Sequence, residues 1–159
     1  MKKNIKSLFN GEKINETENR SVLHTALRDF NLNSEIGKEL LSDRQKIEKF
    51  TNDILSGKTR GSTNKKITDI VNVGIGGSDL GPNMVVESLK FYKTYLNCHF
   101  VSNVDGDHLQ EVLKLVDPET TVFIIVSKTF TTQETLTNAK KIKEFLVSRS
   151  IEDLSLIHI

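Results

Sequence analysis

Three short runs of apolar and β-branched residues, each followed by a stretch typical of a helix, constrain the fold more than any other feature of the chain. The predicted strands are Ile67–Val73, Asn97–Ser102 and Thr121–Val126, and the predicted helices are Pro82–Lys90, Asp107–Leu115 and Thr132–Val147. The strand segments are nearly continuous apolar runs, which is typical of parallel strands that are covered on both faces. The pattern therefore predicts a doubly wound α/β layer.

The part of the chain before the first predicted strand has a different character. Residues 1–45 predict helix and loop, and an amphipathic helix is predicted over Gln45–Leu55. A polar, glycine-containing break follows at residues 56–64. We therefore expect a helical lead-in over residues 1–45 and an α/β domain over residues 46–153.

Composition excludes several classes of partner. The chain has 22 basic and 21 acidic residues and a net charge of +1, so it has no broad electrostatic attraction to nucleic acid or to a membrane surface. Its one cysteine, Cys98, cannot form a disulfide within the chain or build a metal cluster, and we expect it to be a small buried apolar residue. This cysteine usage predicts a cytoplasmic protein.

The first candidate ligand-binding loop, Gly74–Pro82, directly follows the first predicted strand. Its glycines allow a ligand to approach the backbone, and the helix after it presents N–H groups to an anion. A dinucleotide fingerprint would need glycine or alanine where Asp79 stands, and a nucleotide P-loop would need lysine where Pro82 follows Gly81. A phosphate cradle of another kind and a tight turn with a helix cap both remain open.

The second loop, Ser127–Thr135, follows the third predicted strand and contains several hydroxyls and one ammonium group. Hydroxyls and backbone N–H groups are the short-range donors that a phosphate requires. The alternative is a capping box in which Thr131 caps the helix and Glu134 reaches back, but this leaves Ser127, Lys128 and Thr129 unexplained.

The two loops are expected to meet. In an open parallel sheet, ligands bind at the carboxyl ends of the strands, where the strand order reverses. If the order begins 2-1-3, the first and third strands are neighbours and both loops face one crevice.

These segments together resemble the glucose-6-phosphate isomerase family. The resemblance covers roughly residues 8–150 and rests on Val73–Pro82, Ser102–Gly106, Phe123–Ala139, Gly11–Asn15 and Arg20–Arg28. It implies the smaller, sugar-isomerase domain of that family, a flavodoxin-like three-layer α-β-α sandwich with a parallel sheet, here incomplete.

The resemblance also implies roles. Ser127, Lys128, Thr129 and Thr132 match the family's phosphate-binding loop, and Gly77 and Ser78 match positions that line the sugar. The family interconverts glucose 6-phosphate and fructose 6-phosphate through a cis-enediol, in glycolysis and gluconeogenesis, without a metal or organic cofactor. The implied partner is a small sugar phosphate, and the full-length enzyme is expected to be a homodimer.

The chain departs from the family in two places. The family takes its catalytic base from a Met-Glu-Ser-Asn-Gly-Lys-type segment and other essential groups from Gly-Gly-Arg and Gly-Thr-Asn-Gly-Gln-His-type segments, none of which occurs here. We therefore expect no catalytic residue in this chain and an inactive fragment. The alternative is a phosphosugar-binding regulatory module.

The end of the chain is the second departure. Leu154–Ile159 does not resemble the family, and a common sequencing adapter encodes it in one reading frame, so we expect an adapter-derived tail; a natural short apolar tail is the alternative. We expect the outer edge of the third strand to be left bare.

Overall fold

The structure is a computed structural model that describes residues 2–28, 34–149, 151 and 157–158. Its elements are α1 (Lys2–Phe9), α2 (Glu35–Leu55), β1 (Asp69–Val73), α3 (Gly77–Ser88), β2 (Asn97–Val101), α4 (Gly106–Leu115), β3 (Thr121–Ile125), α5 (Gln133–Ser148) and β4 (Ile157–His158), with 3₁₀ turns at Ala26–Arg28, Lys90–Tyr92 and Pro118–Thr120. The chain forms two compact units, residues 1–53 and 54–159. The domain boundaries predicted from sequence stay predictions.

The second unit is built on a parallel sheet with the strand order β2-β1-β3-β4. Val73 at the end of β1 lies opposite Val101 of β2 on one side and Ile125 of β3 on the other. The order 2-1-3, which was the condition for the two loops to share a crevice, is the order observed, and the α/β fold class is confirmed. All three predicted strands are present, each shortened by one or two residues at its ends.

The core lies on the face of the sheet that α4 and α5 cover. Val71, Val73 and Phe123 are completely buried there, in a cluster with apolar side chains of both helices. Inner strands of a parallel sheet are covered on both faces, which is why their sequences are nearly continuous apolar runs. Asn72, between two of these valines, is the exception, and it lies on the opposite face.

Two helices begin five or more residues earlier than the sequence predicted. α2 begins at Glu35 rather than Gln45, because the Ser34 hydroxyl caps it by accepting a hydrogen bond from the Gly37 N–H at 3.0 Å. α3 begins at Gly77 rather than at Pro82. The prediction placed the proline in the first turn, where its missing N–H costs nothing, but the left-handed backbone of Gly76 turns the chain into the helix six residues before it.

Two expectations about the edges of the sheet are wrong. Cys98 is exposed rather than buried, because β2 is an edge strand with one neighbour. The outer side of β3 is not bare, since Ile157 and His158 pair with Phe123 and Ile124 as the parallel strand β4. An edge strand presents unpaired N–H and C=O groups, and a short apolar segment satisfies some of them here. Residues 154–156 and 159 of the predicted tail lie outside the described residues.

No helix within the described ranges is both long enough and apolar enough to cross a lipid bilayer.

Candidate functional site: two loops at the carboxyl edge of the sheet

The loops after β1 and β3 leave the sheet side by side. The Gly74 N–H donates to the Val101 carbonyl at 3.1 Å, and the Val126 N–H donates to the Val73 carbonyl at 2.8 Å. Each loop therefore begins at a residue that is still hydrogen-bonded to the neighbouring strand. Adjacent strands lie about 4.8 Å apart, so the two loops start within one strand spacing of each other. They open at the same edge, at the point where the strand order reverses.

Glycine shapes the β1–α3 loop at two positions. A Cβ atom on Gly74 would lie 2.8 Å from both the Cβ atom and the carbonyl oxygen of Ser78. Only a residue without a side chain lets the first turn of α3 approach the end of β1 this closely. Gly76 precedes the helix with a φ of 59°, a backbone conformation that residues other than glycine rarely adopt.

The first turn of α3 presents backbone donors. The Ser78 and Asp79 N–H groups donate to the carbonyls of Ile75 and Gly76, at 3.2 and 3.0 Å. The N–H groups of Gly76 and Gly77 donate to no backbone carbonyl of the described chain, and both glycines are exposed. A helix of this length places a partial positive charge at these donors, so the glycine loop offers an anion or a hydroxyl two adjacent N–H groups.

Two polar residues near this turn were not singled out by the sequence as site residues. The Asn72 side-chain amide, on β1, donates to the Ser78 carbonyl at 3.1 Å. Asp79 is 4% exposed, and its Oδ1 atom has no hydrogen-bond partner among the residues described. The signal for Asn72 was an amide between two valines of a predicted strand.

The β3–α5 loop is a cluster of hydroxyls. The Phe130 N–H donates to the Ser127 hydroxyl at 3.1 Å, and the Ser127 and Thr132 hydroxyl oxygens are 3.4 Å apart. The Thr129 and Thr131 hydroxyls are hydrogen-bonded at 2.6 Å. Thr131 was considered from the sequence only as the cap of the alternative interpretation, whereas its hydroxyl belongs to this cluster.

The backbone of this loop is strained at Phe130, whose φ is 58°. A left-handed conformation costs a bulky residue about 1–2 kcal/mol, and it is found where the surrounding structure imposes it. Alternation of right- and left-handed residues turns successive N–H groups toward one side, which is a frequent anion-binding arrangement.

The capping box, which was the alternative explanation of this loop, is absent. α5 begins at Gln133, its N-cap residue is Thr132 rather than Thr131, and Thr132 makes no side-chain capping bond. Its hydroxyl faces Ser127 instead. The first turn of α5 therefore keeps N–H groups without a side-chain cap, beside the hydroxyl cluster.

All six predicted substrate-binding residues lie in these two loops: Gly77 and Ser78 in the first turn of α3, and Ser127, Lys128, Thr129 and Thr132 between β3 and α5. Their roles stay predictions. In the described part of the chain, no three histidine, cysteine or acidic side chains are grouped in a way that could hold a metal ion.

This arrangement defines a class: an open parallel α/β domain with two loops rich in hydrogen-bond donors at its topological switch point. Similarity to known proteins narrows this class to one family. The profile of the phosphoglucose isomerase family matches residues 1–158, and the chain belongs to that family.

A relative and a solved structure agree with this assignment. The chain is 55% identical over 162 residues to the glucose-6-phosphate isomerase of Christiangramia forsetii; the match covers 98% of this chain and 30% of the relative. A crystal structure of a glucose-6-phosphate isomerase from Chlamydia trachomatis superposes with a TM-score of 0.78 at 26% identity, covering 98% of this chain and 31% of that one. The chain therefore spans about a third of the length of these relatives.

Proposed function

We propose that this chain is the phosphosugar-binding part of a glucose-6-phosphate isomerase. The observation that carries the proposal is the pairing of two unlike donor sets at one edge of the sheet: backbone N–H groups after β1 and hydroxyls after β3. A sugar phosphate carries both an anion and a row of hydroxyls, so it needs donors of both kinds.

The hydroxyl loop is assigned to the phosphate. Ser127, Thr129 and Thr132 supply hydroxyl donors and Lys128 supplies a positive charge, next to the N-terminus of α5. Gly77 and Ser78 line the sugar on the other side. The phosphate is remote from the carbons that react, and its binding energy holds those carbons in register for the proton transfer.

Proton transfer between C2 and C1 is assigned to groups that these 159 residues do not carry. Moving a proton next to a carbonyl requires a positioned base and a stabiliser of the oxyanion. The chain alone is therefore expected to bind the substrate without turning it over. A cytoplasmic, homodimeric enzyme of glycolysis and gluconeogenesis, without a cofactor, is the full-length protein that we propose.

Binding by the chain itself tests the proposal. An NMR titration of ¹⁵N-labelled chain with fructose 6-phosphate should shift amide signals in both loops, while fructose should shift neither and inorganic phosphate should shift only those of Ser127–Thr132. A coupled assay of the same sample should show no turnover. Equal shifts with fructose, or shifts confined to other segments, would contradict the proposed site.

Catalysis is tested in a chimera, in which residues 1–150 of this chain replace the matching part of the 55% identical relative. We expect this chimera to interconvert the two sugar phosphates. A folded chimera that binds sugar phosphate but has no activity would favour a regulatory phosphosugar-binding module.

A further inference from the structure

Pro82 creates a defect in α3 that another residue must compensate. It is the sixth residue of the helix, well inside its first two turns. In a regular helix the carbonyl of Ser78 would accept a hydrogen bond from the N–H of the residue four positions later. That residue is Pro82, which has no N–H, and its ring also pushes against the carbonyl of the residue four positions earlier.

The Asn72 side chain supplies the missing donor. Its Nδ2 atom lies 3.1 Å from the Ser78 carbonyl oxygen. Asn72 is 9% exposed and stands between Val71 and Val73, which are completely buried. An amide at such a position is destabilising unless it is hydrogen-bonded. The one hydrogen bond therefore gives the Ser78 carbonyl a donor in place of the helical one, and gives the buried Asn72 amide an acceptor in place of water.

We infer that Asn72 and Pro82 act as a pair that positions Ser78 for the ligand. Pro82 turns the Ser78 carbonyl out of the helical hydrogen-bond pattern, and Asn72 holds it against the end of β1. Gly74 leaves the space in which this contact forms, since any side chain there would collide with Ser78. The first turn of α3 is thereby tied to the strand, with the Gly77 N–H and the Ser78 hydroxyl held at the edge of the sheet.

The assignment of a ligand to Ser78 rests on the proposed function, whereas the coupling between Asn72 and Pro82 does not. Asn72 is therefore a positioning residue, which acts through Ser78. A displacement of about 1 Å in such a residue can reduce a rate roughly a hundredfold, so the pair is expected to matter for substrate affinity as well as for folding.

A double-mutant cycle in the 159-residue chain tests the coupling. Asn72→Leu removes the donor and keeps the branching of the side chain. We expect the folding equilibrium constant, measured by urea unfolding, to fall about 5- to 150-fold because the part-buried Ser78 carbonyl is left without its donor. Pro82→Ala restores an N–H at position 82. In that background Asn72→Leu should cost less than about threefold, a non-additivity expected only of interacting residues. Additive effects would overturn the pairing.

Thr121→Val is the matched control, because it also removes a buried polar donor. The Thr121 hydroxyl donates to the Asp117 carbonyl at 2.6 Å, at the opposite edge of the sheet. We expect it to weaken folding but to show no coupling to Pro82→Ala. Asn72→Ala serves as a second variant if Asn72→Leu does not fold, since it removes the donor without adding volume or charge.

The positioning role is tested by kinetics in the chimera described above. Asn72→Leu should raise KM for fructose 6-phosphate about tenfold, which is 1.4 kcal/mol, and Pro82→Ala should bring it back to within about threefold of the parent, whereas Thr121→Val should leave KM unchanged. An unchanged KM in Asn72→Leu, despite weaker folding, would show a purely structural contact. A parent chimera that neither binds nor turns over substrate would refute the proposed function, and the unfolding cycle would still decide the coupling.

Discussion

The β1–α3 and β3–α5 loops follow two neighbouring strands at the same edge of one sheet, yet they are built in different ways. The first is made by backbone: glycines permit close approach, and the loop is tied to the strand behind it through Asn72. The second is made by side chains, with hydroxyls bonded to one another and to the loop's own backbone, around a strained Phe130. The same place in the fold is therefore compatible with two unrelated ways of presenting donors.

This difference predicts different responses to mutation. At Gly74, in the glycine loop, an added atom is expected to be damaging because it would collide with Ser78. In the hydroxyl loop, added volume is tolerated at the exposed positions Thr129 and Thr131, and what matters is the loss of a polar group. Substitutions in the first loop should thus affect stability most, and those in the second should affect binding most.

The largest effect is expected for Gly74→Ala. The new Cβ atom would lie 2.8 Å from the Ser78 carbonyl oxygen, and the backbone on both sides would have to shift. We expect the free energy of unfolding, measured in urea, to fall by about 3 kcal/mol. Gly106→Ala is the control, since that glycine begins α4 with open space around it and is not followed by proline; it should change stability by less than about 1 kcal/mol. Equal effects of the two would contradict the steric account.

Thr129→Val should mainly affect ligand binding. In the proposed function the Thr129 hydroxyl bonds the phosphate, and losing a hydrogen bond to a charged group costs about 1.5–3 kcal/mol, roughly a ten- to hundredfold loss of affinity for fructose 6-phosphate. Because the phosphate is bound throughout the reaction, KM in the chimera should change at least as much as kcat. Thr137→Val, at an exposed position of α5, should change neither. A normal KM with a collapsed kcat would refute the anchoring role.

The smallest effect is expected at Phe130, where the comparison of glycine with alanine isolates the backbone strain. At a φ of 58°, Phe130→Gly should be more stable than Phe130→Ala by about 1 kcal/mol. At position 137, inside α5, the order should reverse by a similar amount, about 1 kcal/mol in favour of Thr137→Ala over Thr137→Gly. Thermal or urea unfolding of the four variants measures both differences, and the same order at both positions would show that the loop is not strained.

Much of the fold followed from local patterns. The continuous apolar strands and their alternation with helices predicted a parallel sheet, and the switch-point argument anticipated the order in which β1 and β3 are neighbours. The two loops were recognisable because glycines and hydroxyls follow two predicted strands, at the strand ends where ligands bind in open parallel sheets. The resemblance to the isomerase family was visible in the same segments, and the match over residues 1–158 confirmed it.

Tertiary structure decided what these groups do to one another. Sequence placed the start of α3 at Pro82, because proline favours a first turn, but the contact between Gly74 and Ser78 and the Asn72 amide allow the helix to begin at Gly77. Thr131 was considered as a cap, but its hydroxyl is bonded to that of Thr129. Cys98 was expected to be buried, but it is exposed because β2 is an edge strand. Periodicity and turn residues record the backbone's local preferences, so the sequence alone determined the elements and their class. Which carbonyl accepts a hydrogen bond from which buried donor depends on side chains that only the folded sheet brings together, so the tertiary structure determines these contacts.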